Sequence, residues 1–216
     1  GVQTCALPIW IAAQDRRYLA HEFFNEHWHP MPFSELAEHL MRARLDYGAS
    51  AHLLDHVDSL NFSAEGRELL AGIGHPVLRE SVRDFLTNAQ FRRDIWVKGP
   101  RNLPTELQVA RLLATRVTLT SLPEAIEFTA PGALGNGSLR QEVYAPLIEA
   151  LAADAFRPKM LQEISNDAGL RGIGVAALVQ ALIVLVGAGH AHVSMEPTPA
   201  SRKATSGLNQ CILGRA

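Results

Sequence analysis

Apolar residues recur along this chain at three- and four-residue steps, in blocks separated by Gly, Pro and Ser, which predicts a mainly helical protein with short strands. From residue 33 onward, Leu36, Leu40, Met41 and Tyr47 follow such steps, with Ser34 placed to cap the start and Gly48 to end it. A short helix is expected over 52–60. Ser63 then caps a segment through Leu69 and Leu70 that stops near Gly72 and Gly74. Pro76 suits the first turn of the next helix, whose Leu78, Val82, Phe85, Leu86 and Ala89 make one apolar stripe.

Residues 95–97 and 117–119 read as short strands, and 103–113 as a helix begun by Pro104 and Thr105. The run 130–138, APGALGNGS, is turn-rich and marks a boundary or a hairpin. Beyond it, 143–153 and 160–165 are expected to be helical, 169–172 to turn the chain, 174–186 to form a buried helix and 190–195 a strand. Three helices followed by a strand predict a winged-helix-like module. The uncharged window 172–189 is short for a membrane span and holds Gln180 at its middle, so it reads as a core helix.

Composition narrows the function. With 47% hydrophobic and 19% charged residues and a formal net charge of -2, the chain is an ordinary globular protein without the basic excess of a nucleic-acid binder. Two cysteines exclude a disulfide framework, and no secretory signal is legible, which points to the cytoplasm. The first nine residues, GVQTCALPI, read as the translation of a sequencing adapter, so residues 1–10 are expected to be foreign.

Candidate chemistry is sparse. His21, Glu22, His27 and His29 suggest a metal site at first sight, but a zincin needs two histidines four apart on a helix, and the spacings from His21 here are six and eight. No metal is expected. In the stretch from Arg79 to Arg116 basic residues outnumber acids, which is read as a solvated helix face with Arg79 and Arg83 set among acids. The expected winged-helix recognition element is apolar throughout and its module acidic, so DNA is not its partner.

Two motifs carry a resemblance. The first is Tyr18, His21, Glu22, Asn25, Pro30 and Phe33, with Phe23 and Phe24 where Tyr and Leu are usual; the second is Asp84, Phe85, Asn88, Phe91 and Arg92. Together they resemble the methyltransferase regulatory domain family, found after the S-adenosylmethionine-binding domain of bacterial class I methyltransferases. The resemblance is strong from Tyr18 to Arg116. It implies a region that positions substrate or regulates a protein-lysine-type methyltransferase whose catalytic domain is absent from this sequence. The glycine-rich loop and acid of a class I cofactor site are not legible. S-adenosylmethionine therefore belongs to the intact enzyme and no cofactor to this chain.

The expected organisation is residues 1–10 non-native, 11–33 a junction with the catalytic domain, 34–120 the regulatory domain, and 121–216 the winged-helix-like module. His21, Glu22, Asn25 and Trp28 are the expected substrate-binding residues, at the entrance to the lost catalytic site. Expected partners are a protein substrate, the chain's own catalytic domain and a possible homodimer, with no nucleic acid and no membrane span. The alternative is a stand-alone winged-helix-type binding or transcription-associated module without enzymatic activity.

Overall fold

A computed structural model describes residues 14–23, 26–27, 29–196 and 198–214. The protein is mainly helical with short strands, and every strand pairing among the described residues is antiparallel. Helix α1 (Arg16–Phe23) begins where the Asp15 carboxylate accepts the backbone N–H groups of Arg17, at 2.7 Å, and Tyr18, at 3.3 Å. Pro32 precedes α2 (Phe33–Arg42), so the expected cap, Ser34, lies inside the helix.

That helix ends at Arg42 and not near Gly48 as its periodicity suggested. Arg44 takes a left-handed φ of 61°, and the chain leaves as strand β1 (Leu45–Ser50), which pairs with β2 (Asp94–Lys98). The reason is tertiary: Tyr47 sits opposite Trp96 in the register, and both rings pack on Phe33, with centroids 5.1 Å and 5.8 Å from it. The register shifts at Gly48, where an added Cβ would stand 3.1 Å from the Ile95 carbonyl oxygen.

Residues 52–60 form two short pieces, a 3-10 turn (Leu53–His56) and α3 (Asp58–Asn61), broken at Val57. Ser63 caps α4 (Ala64–Ala71) as expected, accepting from the Gly66 N–H at 3.2 Å. Helix α5 (Pro76–Thr87) starts on Pro76 and closes on Asn88, which is left-handed with φ 49°. Its apolar stripe faces outward: Leu78 is 53% exposed and Phe85 86%. A stripe of that kind ordinarily faces a core. Here Glu80, Arg83 and Asp84 take the inward side, because Arg83 and Arg92 hold the carboxylates there.

After α6 (Thr105–Ala114) comes β3 (Arg116–Leu119), then the hairpin β4 (Thr129–Gly132) and β5 (Gly135–Ser138) within the turn-rich run. Helix α7 (Gln141–Phe156) keeps helical geometry until Ala153; Asp154, Ala155 and Phe156 then turn left-handed, with φ of 58°, 55° and 59°. Strand β6 (Lys159–Met160), α8 (Leu161–Ser165), α9 (Val175–Gly187), β7 (Ala191–Ser194) and α10 (Pro199–Leu213) complete the chain. The three helices followed by a strand are thus present. The sheet they pack with has the order β6-β3-β7, and its central strand comes from upstream of all three helices.

The main core gathers Leu147, Leu151, Ile164, Leu170, Leu178 and Leu185, all essentially inaccessible, and each such leucine contributes about 2 kcal/mol through burial. The uncharged helix α9 is part of this core, and among the described residues no helix is long and apolar enough to cross a membrane. Leu54, Val57 and Leu60 join the same core, as do Val117 and Leu119. Residues 53–60 and 116–119 therefore pack with the later module although they precede residue 121. The contact is close: a Cβ on Gly187 would meet the Leu54 side chain at 2.8 Å, and one on Gly132 would meet the Leu60 carbonyl oxygen at 2.1 Å.

Candidate functional site

A cavity of about 790 Å³ opens where these two parts meet. Strand β1 and the 3-10 turn form one wall, α5 and the segment 89–94 a second, and the β4–β5 hairpin closes the third through Pro131, Gly132 and Ala133. Asn61 secures that third wall. Its amide nitrogen donates to the carbonyls of Leu54, at 2.7 Å, and Val57, at 3.1 Å, while its oxygen accepts from the Ala133 N–H at 3.1 Å. The residue is buried, and these bonds satisfy its polar atoms.

The α5 wall is organised by Arg92. Its guanidinium donates to Glu80 at 2.9 Å, to Asp84 at 2.5 Å and to both oxygens of Asp94 at 2.9 and 3.1 Å. Burial by itself would lower the pKa of Arg92; the hydrogen bonds to Asp94, Glu80 and Asp84 outweigh it and hold the group above its ordinary range. Tyr47 donates to Glu80 at 3.1 Å, and burial and then the Glu80 charge push its phenol above the usual value, so it stays a donor. Asp84 is raised as well, because burial exceeds the help it receives from Arg92. Next along the wall, Arg83 reaches Asp58 at 2.8 Å and Glu80 at 3.7 Å, donates to the Asp55 carbonyl and lies over the Phe62 ring.

The opposite wall carries Ser50, His52, Asp55 and His56. Ser50 donates its hydroxyl to Asp55 Oδ2 at 2.6 Å, His52 Nδ1 meets Asp55 Oδ1 at 2.9 Å, and His56 Nε2 meets the Ser50 carbonyl at 2.9 Å. Burial acts to raise the Asp55 pKa, but the bonds from Ser50 and His52, with the charges of His52 and Arg83, hold it below the ordinary value. Serine and imidazole each bond the carboxylate. Neither is joined to the other as a nucleophile and its base would be, so the arrangement suits binding more than acyl transfer.

The residues expected at a substrate entrance lie elsewhere in the chain. His21 is exposed on α1, and Glu22 follows it in that helix. Asn25 and Trp28 fall outside the described residues. No described residue of that stretch is among those that line the cavity. The residues that do line it carried a faint signal: His52, Asp55 and His56 are spaced i, i+3, i+4 within a segment read only as a short helix.

Three of the five residues of the second motif have a structural role, whereas Phe85 and Phe91 are exposed. Asp84 and Arg92 form an ion pair, Asn88 supplies the left-handed helix end between them, and Phe33 of the first motif lies under the Arg92 guanidinium. Residues 15–98 match the family described as a predicted methyltransferase regulatory domain. The chain is 37% identical over 201 residues to the uncharacterized protein sll1526 of Synechocystis sp. (strain ATCC 27184 / PCC 6803 / Kazusa), covering 92% of this chain and 39% of that protein. Its fold is similar to that of PKMT2 from Rickettsia typhi in complex with AdoHcy, with a TM-score of 0.53, 16% identity, and coverage of 86% of this chain and 39% of that one. A second structure of PKMT2 gives a TM-score of 0.52 over 86% of this chain and 40% of that one. The chain thus spans about 39% of the length of the curated relative it matches. The family match and the paired motif residues agree, and the segment 15–98 matches the predicted methyltransferase regulatory domain.

Proposed function

We propose that this chain is the regulatory and substrate-positioning region of a longer S-adenosylmethionine-dependent methyltransferase acting on protein lysine. The match of residues 15–98 to the regulatory-domain family carries this reading. The fold likeness to PKMT2, in a structure that holds AdoHcy, supports it. The methyl donor itself does not fit the described residues: class I methyltransferases bind it at the end of a parallel sheet, whereas every strand pairing here is antiparallel. Cofactor binding and methyl transfer are therefore assigned to the remainder of the longer protein, and no catalytic step to this chain.

The helices from residue 121 onward, with the sheet they pack on, act as a winged-helix-like scaffold for contacts with the catalytic domain, the protein substrate or a second copy, and not with nucleic acid. His21, Glu22, Asn25 and Trp28 are assigned to substrate binding at the junction with the catalytic domain. The protein is cytoplasmic.

The test uses the intact gene product. It should transfer labelled methyl groups from S-adenosylmethionine to a lysine of a protein substrate, located by mass spectrometry, and lose that transfer when residues 15–98 are removed. The 216-residue chain alone should give no saturable heat with S-adenosylmethionine. An intact protein that binds no S-adenosylmethionine would sink the proposal. Salt-dependent DNA binding by this chain would favour a transcription-associated module instead.

A further inference from the structure

We infer that the cavity between β1, α5 and the β4–β5 hairpin binds a lysine side chain of a polypeptide, with the Asp55 carboxylate as the anchor for its ammonium group. The inference rests on the reading of this chain as part of a protein-lysine methyltransferase for the class of ligand, and on the cavity's own charge for its sign. Five carboxylates line the cavity against three arginines. Glu80, Asp84 and Asp94 are committed to Arg92, and Asp58 to Arg83.

Asp55 is different. Its carboxylate bonds the Ser50 hydroxyl and the His52 ring; the nearby Arg83 donates to its backbone carbonyl and adds its charge, but among the described residues no Arg or Lys side chain forms an ion pair with the carboxylate itself. Each of its oxygens keeps a lone pair for a further donor, and half of the side chain is open. The two bonds fix the carboxylate's orientation before a ligand arrives, which lowers the cost of ordering it on binding. A net anionic lining with a preset carboxylate accepts a cation and repels an anion.

The same cavity supplies an apolar surface. Phe91 lines it and is 87% exposed, so its ring is free to cover the methylene stem of a lysine while the ammonium reaches the carboxylate. A volume of about 790 Å³ accommodates such a side chain together with its flanking backbone.

The experiment titrates the whole chain with an acetylated and amidated Gly-Gly-Lys-Gly-Gly peptide and with its norleucine counterpart, followed by calorimetry. The lysine peptide should saturate, and the norleucine peptide should bind at least about tenfold more weakly. Asp55→Asn should weaken the lysine peptide about tenfold. Phe91→Ala, a change at an exposed ring that leaves folding intact, should weaken it severalfold. Absence of lysine-peptide binding, equal binding of both peptides, or unchanged affinity in folded Asp55→Asn protein overturns the site. n-Butylamine binding as tightly as the peptide overturns the polypeptide assignment. In the intact protein, lysine methylation unaffected by Asp55→Asn overturns the site alone, whereas lysine-peptide binding without any methyl transfer overturns the enzymatic reading alone.

Discussion

The guanidinium of Arg92 lies over the ring of Phe33, 4.2 Å from its centroid. Phe33 begins α2 and Arg92 lies in the loop between α5 and β2, so the contact ties α2 to the start of β2. The same guanidinium is paired with Glu80, Asp84 and Asp94. One side chain therefore holds together the aromatic cluster, the inward face of α5 and one wall of the cavity.

Arg92→Ala should destabilise the chain by about 3 kcal/mol, the usual cost of leaving half-buried carboxylates without their cation. Arg92→Lys should recover only part of this, since an ammonium cannot serve three carboxylates with a planar fork. Urea denaturation of the three proteins measures both. A loss below about 1 kcal/mol for the alanine variant would mean that the network is a surface feature only.

Asp55 and Asp84 should act on stability with opposite signs as pH changes. The folded state lowers the Asp55 pKa, so its contribution is present above the unfolded value, about 3.9, and is lost as pH falls through the folded one. It raises that of Asp84, so the contribution of that group is present below about 3.9 and is lost as pH rises through its folded pKa. The stability gap between the native chain and Asp55→Asn should accordingly shrink below about pH 4. Unfolding curves from pH 3 to 7 decide this, and a gap that widens toward acid contradicts it.

Gly132→Ala should cost about 3 kcal/mol, because its Cβ would collide with the Leu60 carbonyl of a backbone held in the core and could be relieved only by shifting the hairpin. Gly74→Ala is the matched control. A Cβ there meets nothing within 4 Å, and the change should be neutral within about 0.5 kcal/mol. Similar melting temperatures for the two variants would refute the close approach of β4 to α3.

Ala155→Gly should stabilise the chain by about 1 kcal/mol, since a left-handed conformation strains an alanine and not a glycine. For a chain of this size that corresponds to a rise of roughly 2–4 °C in Tm. Differential scanning calorimetry checks it, and a fall in Tm would show that the turn at 154–156 is not left-handed in solution.

Phe85→Ser should leave unfolding free energy within about 0.5 kcal/mol of the native chain, because the ring is 86% exposed. It should also reduce concentration-dependent self-association of the chain, measured by light scattering, by removing part of an exposed apolar surface with Leu78 and Leu86. Strong destabilisation would show that the ring is covered in solution.

Much of the local structure was legible before any contact was known. Ser63 caps α4, Pro76 starts α5, Pro104 precedes α6, and the glycine-rich run folds as the hairpin β4–β5. Each depends on backbone preferences acting over a few residues. Tyr47 misled the reading for an equally physical reason: its spacing from Leu40 suits a helix face, but its ring is claimed by Trp96 across the sheet. The stripe on α5 misled it too, since periodicity marks an apolar face and says nothing of which partner covers it.

The candidate site was hidden for a related reason. His52 and Asp55 are neighbours in sequence, but the cavity exists only because Glu80, Arg92 and Gly132 are brought opposite them. By itself the sequence determined the helical class, the caps and turns, and the two motifs that mark the regulatory-domain family, all set by residue type and short-range spacing. Only the tertiary structure decided that β1 pairs with β2, that residues 53–60 join the later core, and that α5 turns its charged side inward. Those outcomes depend on ion pairs, ring contacts and apolar packing between residues tens of positions apart, which no local pattern encodes.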